Sequence, residues 1–253
     1  MLKIENLRKV FFSKSSNEKV ALDNISFCLR KGEFVTVIGG NGSGKSTLFN
    51  CISGFETPDE GRIVLDSADI TYHKEFKRAK YLGRVFQDPL KGTAYELTIE
   101  ENLALAYSRG QVRGLTKAIT NRDVLYFRER LSLLNLDLEN RLRQKVGLLS
   151  GGQRQAITLL MATLVKPKLL LLDEHTAALD PSTARKVMEM TAEIVNKEQI
   201  STIMITHNLK DALEFGTRTI MLSSGNIILD VNGQERQNTT AEQLLLSFGY
   251  NPN

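Results

Sequence analysis

The chain has 253 residues, 42% of them hydrophobic and 25% charged, which is the usage of a folded protein with a real core. Its formal net charge of +4, from 33 basic and 29 acidic side chains, gives no ground for a nucleic-acid partner. The opening Met1–Phe12 lacks the apolar run of a signal peptide, and the longest apolar-rich stretch, Ala156–Val165, is about half a membrane span, so a soluble, cytoplasmic chain is expected.

In chain order, Leu2–Glu5 and Ile25–Leu29 alternate apolar and polar residues and predict strands. Cys28 falls in the second of these and Cys51 in a later predicted helix. They form no CxxC or zinc spacing and are read as reduced, buried thiols. Phe34–Ile38 is a continuous β-rich run, as in a strand buried on both faces. A glycine-rich loop and a helix over Ser46–Ile52 follow, then a strand at Gly61–Asp66. Between 88 and 149 no strong strand run appears, and leucine spacing across Thr98–Tyr107 and Val124–Leu138 is helical. Alternation then resumes: a helix to about Val165, strand Lys168–Leu172, helix Ser182–Asn196, strand Ser201–Ile205 and helix Leu209–Phe215. This order predicts a parallel sheet. A hairpin, Thr219–Leu222 with Asn226–Val231, and a short helix from Thr239 close the chain.

Gly39-Gly40-Asn41-Gly42-Ser43-Gly44-Lys45-Ser46 fits the phosphate-loop pattern GxxxxGK[ST], between the required strand and helix. Such glycines let backbone N–H groups face phosphates at a helix N-terminus. Lys45 supplies a cation and the Ser46 hydroxyl suits Mg²⁺; Thr47 continues the loop into the helix. Leu169–Leu172 is an apolar strand ending in Asp173 and Glu174. Asp173 is expected to hold Mg²⁺, directly or through water, and Glu174 to polarise the attacking water as general base.

Between these motifs, Leu149-Ser150-Gly151-Gly152-Gln153 resembles the signature of ABC ATPases. The resemblance covers essentially residues 1–231. It implies an α/β fold: a P-loop NTPase core (RecA-like) with an antiparallel β subdomain and an inserted helical subdomain. Residues 1–87 and 150–231 would form the nucleotide-binding core, 88–149 the helical subdomain and 232–253 a C-terminal tail. It also implies that Ser150, Gly151, Gly152 and Gln153 meet the γ-phosphate of ATP held by a second subunit. Phe11, with Phe12 as the alternative, would stack on adenine. Gln87 would touch Mg²⁺ and water, Asp180 of Ala178-Leu179-Asp180 would cross the dimer interface, and His207 would sit beside the γ-phosphate. ATP and Mg²⁺ are the implied ligands. The implied partners are a second copy of the chain on ATP binding and integral membrane permease subunits, which place the chain at the cytoplasmic face of the membrane.

Two residues depart from the family pattern. His175 stands where proline is usual, and is read as an exposed loop residue rather than a pH-sensitive contact. Ala177 stands where serine is usual. Arg109, Arg113, Lys117 and Arg122 lie in a stretch without acids, read as a solvated basic loop, with anionic lipid head groups as the alternative contact. Phe34–Gly39, Tyr81–Pro89, Val146–Ser150 and Asp173–Asp180 together resemble one bacterial subfamily. Its ATPases accompany a lipoprotein-type, extracytoplasmic solute-binding protein and a permease, often in uptake of tryptophan, tyrosine or related solutes. A soluble ABC ATPase of an assembly system, such as iron–sulfur cluster biogenesis, is the competing reading.

Overall fold

The structure, a computed structural model, describes residues 1–13, 17–110 and 118–247. The chain forms two compact units, one from Met1–Arg78 and the chain from Gln199, the other from Ala79–Glu198.

The first unit opens with β1 (Leu2–Phe11), β2 (Lys19–Leu29), β3 (Phe34–Gly39), α1 (Lys45–Ser53), β4 (Glu60–Leu65), β5 (Ala68–Asp69) and the one-turn α2 (Glu75–Arg78). β1 lies antiparallel between β2 and β4, and β5 pairs with β4 at the edge. Period-two alternation buries Phe27 and Leu29 on one face of β2 and turns Cys28 to the other, where it is exposed. The expectation that Cys28 is buried is therefore corrected. Cys51, on α1, is buried as expected, and burial pushes its thiol up to about 12.

The second unit contains β6 (Leu82–Val85), a short 3₁₀ turn at Pro89–Gly92, α3 (Ile99–Tyr107), α4 (Asn121–Ser132), α5 (Gly151–Thr163), β7 (Leu169–Asp173) and α6 (Pro181–Glu198). β6 and β7 pair in parallel, Arg84 opposite Leu171. In this unit the described starts of α3, α4 and α5 each carry a capping box, Thr98 with Glu101, Thr120 with Asp123 and Ser150 with Gln153. Each box satisfies two backbone donors that a helix start leaves unpaired. Ile99, Leu103, Phe127, Leu131, Leu138 and Leu160 pack into one core.

The chain then returns to the first unit through β8 (Ser201–Ile205), α7 (Leu209–Phe215), β9 (Arg218–Ser223), β10 (Asn226–Asn232), α8 (Gly233–Asn238) and α9 (Ala241–Ser247). β3 lies parallel between β8 and β9, with Val37 opposite both Ile205 and Ile220, and β10 returns antiparallel on β9. Phe34–Ile38 is buried at every position, as the unbroken apolar run predicts. Leu244 of α9 packs on Ile38, Ala212 and Met221. No helix among the described residues is long and apolar enough to cross a membrane.

Among the described residues, three α-helices end on arginines from elsewhere in the chain. A helix leaves its last carbonyls without intrahelical partners. Arg78 donates to Cys51 O and Ile52 O of α1, each at 2.7 Å, and to Thr71 O and His73 O. Arg109 donates to Ala162 O and Val165 O at the end of α5 and to Leu82 O. Arg236 donates to Ala212 O and Leu213 O of α7, at 2.8 and 2.7 Å. Arg109 is thus a half-buried carbonyl cap and not part of a solvated basic loop. Arg113 and Lys117 lie outside the described residues.

Arg78 is 1% exposed, and desolvation lowers its guanidinium to about 10, still charged near neutrality. Arg78→Met removes the donors to four carbonyls at comparable volume. It is expected to cost about 4 kcal/mol of unfolding free energy, read as a lower midpoint in urea denaturation with an unchanged slope. A midpoint equal to wild type would show that these bonds carry no net stability.

Candidate functional site

In the first unit, the loop between β3 and α1 is closed by glycines no other residue replaces without strain. Gly42 has φ +76° and Gly44, the N-cap of α1, φ +106°. A Cβ on Gly44 would lie 2.5 Å from Ala21 O, and one on Gly39 2.5 Å from Leu222 O. The turn between β9 and β10 braces the loop, since Gly225 N donates to Ser43 O at 3.1 Å. The Lys45 ammonium donates to Gly39 O at 2.7 Å and Gly40 O at 2.9 Å, which holds a cation over the cup. The buried Ser43 hydroxyl has no hydrogen-bond partner. A buried orphan hydroxyl and a backbone cup at a helix N-terminus suit an anion with several acceptor oxygens. Asn41 and Ser46 are exposed on the rim, and Thr47 is half-buried beside them.

The same unit holds Phe11, Phe12 and His207. Phe11, at the end of β1, is half-buried with the Lys9 ammonium 5.5 Å from its ring centre. Phe12 is 73% exposed at φ +55°. His207 is exposed between β8 and α7, next to Asn208, whose side chain accepts from Lys210 N and Asp211 N to cap α7.

In the second unit, β7 delivers Asp173 and Glu174, both half-buried, at its C-terminal end. Arg84 of β6 reaches Asp173 at 3.3 Å and stacks its guanidinium 4.7 Å from the Phe86 ring centre. This ion pair is a member of the site that the sequence reading did not name. Its signal was a cation inside the short apolar strand Leu82–Val85. Glu174 holds φ +44°, the left-handed region, which is rare for a non-glycine residue. Ser46 hydroxyl, Asp173 carboxylate and Gln87 amide are all oxygen donors of the kind Mg²⁺ takes; Gln87 is exposed after β6.

Ser150 is the N-cap of α5. Its hydroxyl accepts from Gln153 N at 3.3 Å, and Gln153 Oε1 accepts from Ser150 N at 3.2 Å. Gly152 packs closely on α6: a Cβ there would lie 2.2 Å from Thr183 Cγ2, so that side chain would have to shift. Ser150 and Gly151 remain exposed, so the positive end of α5 faces outward. Asp180 accepts from Ser182 Oγ at 2.7 Å and Thr183 N at 3.1 Å, and hydrogen bonding from the Thr183 side chain, then from Ser182 and the Thr183 backbone, holds its carboxyl down to about 2. Ala177 is exposed.

His175 corrects the sequence expectation of an exposed loop residue. It is 2% exposed, and desolvation pushes its imidazole down to about 4. The loop folds so that its side chain enters the unit and meets Thr191 on α6.

A family model described as ABC transporter matches residues 22–177. The chain is 46% identical over 250 residues to a "Tyrosine transport ATP-binding protein" of Clostridioides difficile (strain R20291), spanning 99% of both chains. It is 32% identical to an energy-coupling factor transporter ATP-binding protein of Clostridium tetani (strain Massachusetts / E88), across 90% of this chain and 78% of that one. Among solved structures, it is similar to the dimeric post-hydrolysis state of an ATP-binding cassette bound to ADP and phosphate. That likeness has a TM-score of 0.77 and 28% identity, and covers 92% of this chain and 98% of the other.

Proposed function

The chain belongs to the ABC transporter family as an ATP-hydrolysing subunit, and from that premise we propose that it energises uptake of tyrosine or a closely related aromatic amino acid. The observation that carries the solute is the 46% identity, over 99% of both chains, to a relative named for tyrosine transport. The ATPase residues themselves contact nucleotide and do not read a solute. Substrate choice belongs to separate permease subunits and an extracytoplasmic binding protein, with this chain attached to them at the cytoplasmic face.

In this reading the phosphates lie in the Gly39–Ser46 cup, where backbone N–H groups and Lys45 neutralise them. Adenine stacks on Phe11, or on the more exposed Phe12. Ser46, Gln87 and Asp173 are the oxygen donors for Mg²⁺. When bound, Mg²⁺ supplies positive charge to the phosphate oxygens that gain charge during transfer. Arg84 orients the Asp173 carboxylate through its ion pair. Glu174 takes the proton of the attacking water, and His207 steadies the γ-phosphate. Ser150–Gln153 present the N-terminus of α5 to the ATP of a second copy, with Asp180 beside that seam. ATP thereby favours the closed dimer, and hydrolysis removes the preference.

The test is uptake of labelled solutes in cells deleted for this chain. Tyrosine or tryptophan uptake is expected to fall to background and to return with the wild-type chain. Sugar, metal and peptide uptake should stay unchanged. Undiminished aromatic uptake in the deletion would overturn the solute assignment while leaving the ATPase intact.

A further inference from the structure

His175 follows the general base directly and is buried, yet no step of hydrolysis uses it. Its Nε2 lies 3.1 Å from Thr191 Oγ1. The Thr191 hydroxyl has one hydrogen, and that hydrogen is committed to Val187 O at 2.7 Å. The imidazole must therefore be the donor, which fixes the tautomer with the proton on Nε2. Thr191 itself is fully buried on α6, among Val187, Met188 and Val195.

Within the loop Glu174–Asp180 the backbone makes local turns, and at its far end Asp180 is tied to the start of α6 by Ser182 and Thr183. Ala177 N donates to Glu174 O at 3.0 Å and Leu179 N to Thr176 O at 3.1 Å. Such turns close the loop on itself without themselves reaching the body of α6. The imidazole adds a connection at the Glu174 end, joining the residue after Glu174 to Thr191, well inside a long packed helix. Glu174 meanwhile sits at φ +44°, a conformation that persists in a non-glycine residue when its surroundings over-determine it.

We propose that His175 is a positioning residue for hydrolysis: by donating from Nε2 to Thr191 it locks the left-handed turn at Glu174 and aims the Glu174 carboxylate. The inference rests on the reading of Glu174 as the base. It predicts a defect in turnover with nucleotide binding intact, because the bond touches neither the phosphate loop nor the aromatic residues Phe11 and Phe12.

Thr191→Val removes the acceptor at nearly constant volume, and Thr191→Ser keeps it. For the full-length chain, Thr191→Val is expected to lower kcat about tenfold or more. KM and affinity for a non-hydrolysable ATP analogue should stay within about twofold, and Thr191→Ser should recover most of the rate. In ¹⁵N-histidine spectra, a slowly exchanging Nε2–H is expected in the wild type and lost in Thr191→Val. Should Thr191→Val fail to fold, His175→Gln, which retains a donor, is compared with His175→Leu, which does not. Wild-type kcat in Thr191→Val or His175→Leu, a change confined to KM, or a proton found on Nδ1 overturns the proposal. Glu174→Gln is measured alongside. If it turns over normally, the base assignment falls and this inference with it; if it is inactive while Thr191→Val is normal, the positioning role alone is wrong.

Discussion

Glu174→Gln is expected to bind ATP with near wild-type affinity and to release phosphate about 10²- to 10⁴-fold more slowly, the usual contribution of a general base. Glutamine keeps the shape of the side chain and loses the proton acceptor. The substitution leaves the Gly39–Ser46 cup, Lys45 and the Asp173–Arg84 pair untouched, so binding has no reason to fail. If ATP holds two copies together, the variant should accumulate as a dimer with ATP and Mg²⁺ and stay monomeric with ADP. Size-exclusion chromatography with light scattering reads the state, and a phosphate-release assay reads the rate. Near-normal turnover would remove Glu174 as the base.

Lys45→Ala and Ser150→Arg are expected to fail in different ways. Lys45 is buried, its ammonium anchored on Gly39 O and Gly40 O. Alanine deletes the cation over the cup and leaves both carbonyls without that donor. A charge-assisted contact of this kind is worth about 1.5–3 kcal/mol, so nucleotide affinity should fall roughly tenfold to a hundredfold. Ser150 is exposed and caps α5. Arginine there costs the cap, about 1 kcal/mol, and places a long cation over the outward-facing helix end. Nucleotide affinity by calorimetry should survive, while ATP-driven dimerisation is lost. If Ser150→Arg lost binding as severely as Lys45→Ala, the two-copy site would be wrong.

Much of the fold was legible because its signals are local. The Phe34–Ile38 run, the Leu169–Leu172 run ending in acids, and the glycine loop between strand and helix each carry their own context. β6 was missed for a physical reason. Leu82–Val85 has four residues, and two of them, Gly83 and Arg84, look unlike a strand. Gly83 is there because a Cβ would lie 2.6 Å from Ala162 O, a contact that sequence cannot announce. Cys28 was misplaced because it was read from the usual burial of cysteine, although the alternation of Ile25, Phe27 and Leu29 turns it to the opposite face. His175 was misplaced because a loop position usually faces solvent, and its partner Thr191 lies on another element. The arginine caps were invisible for the same reason: each guanidinium closes a helix that its own neighbourhood does not contain.

Those caps also set an order on synthesis. A chain made from its N-terminus exposes Arg109 before α5 has formed, so the closing group is waiting when that helix arrives. For α1 the sequence is reversed, and its last turn stays open until Arg78 has emerged. α7 waits longest. Thr36 reaches Ala212 O, but Arg236, which meets both Ala212 O and Leu213 O, lies beyond the β9–β10 hairpin, so the arginine cap on the helix that follows His207 closes only after that hairpin has emerged.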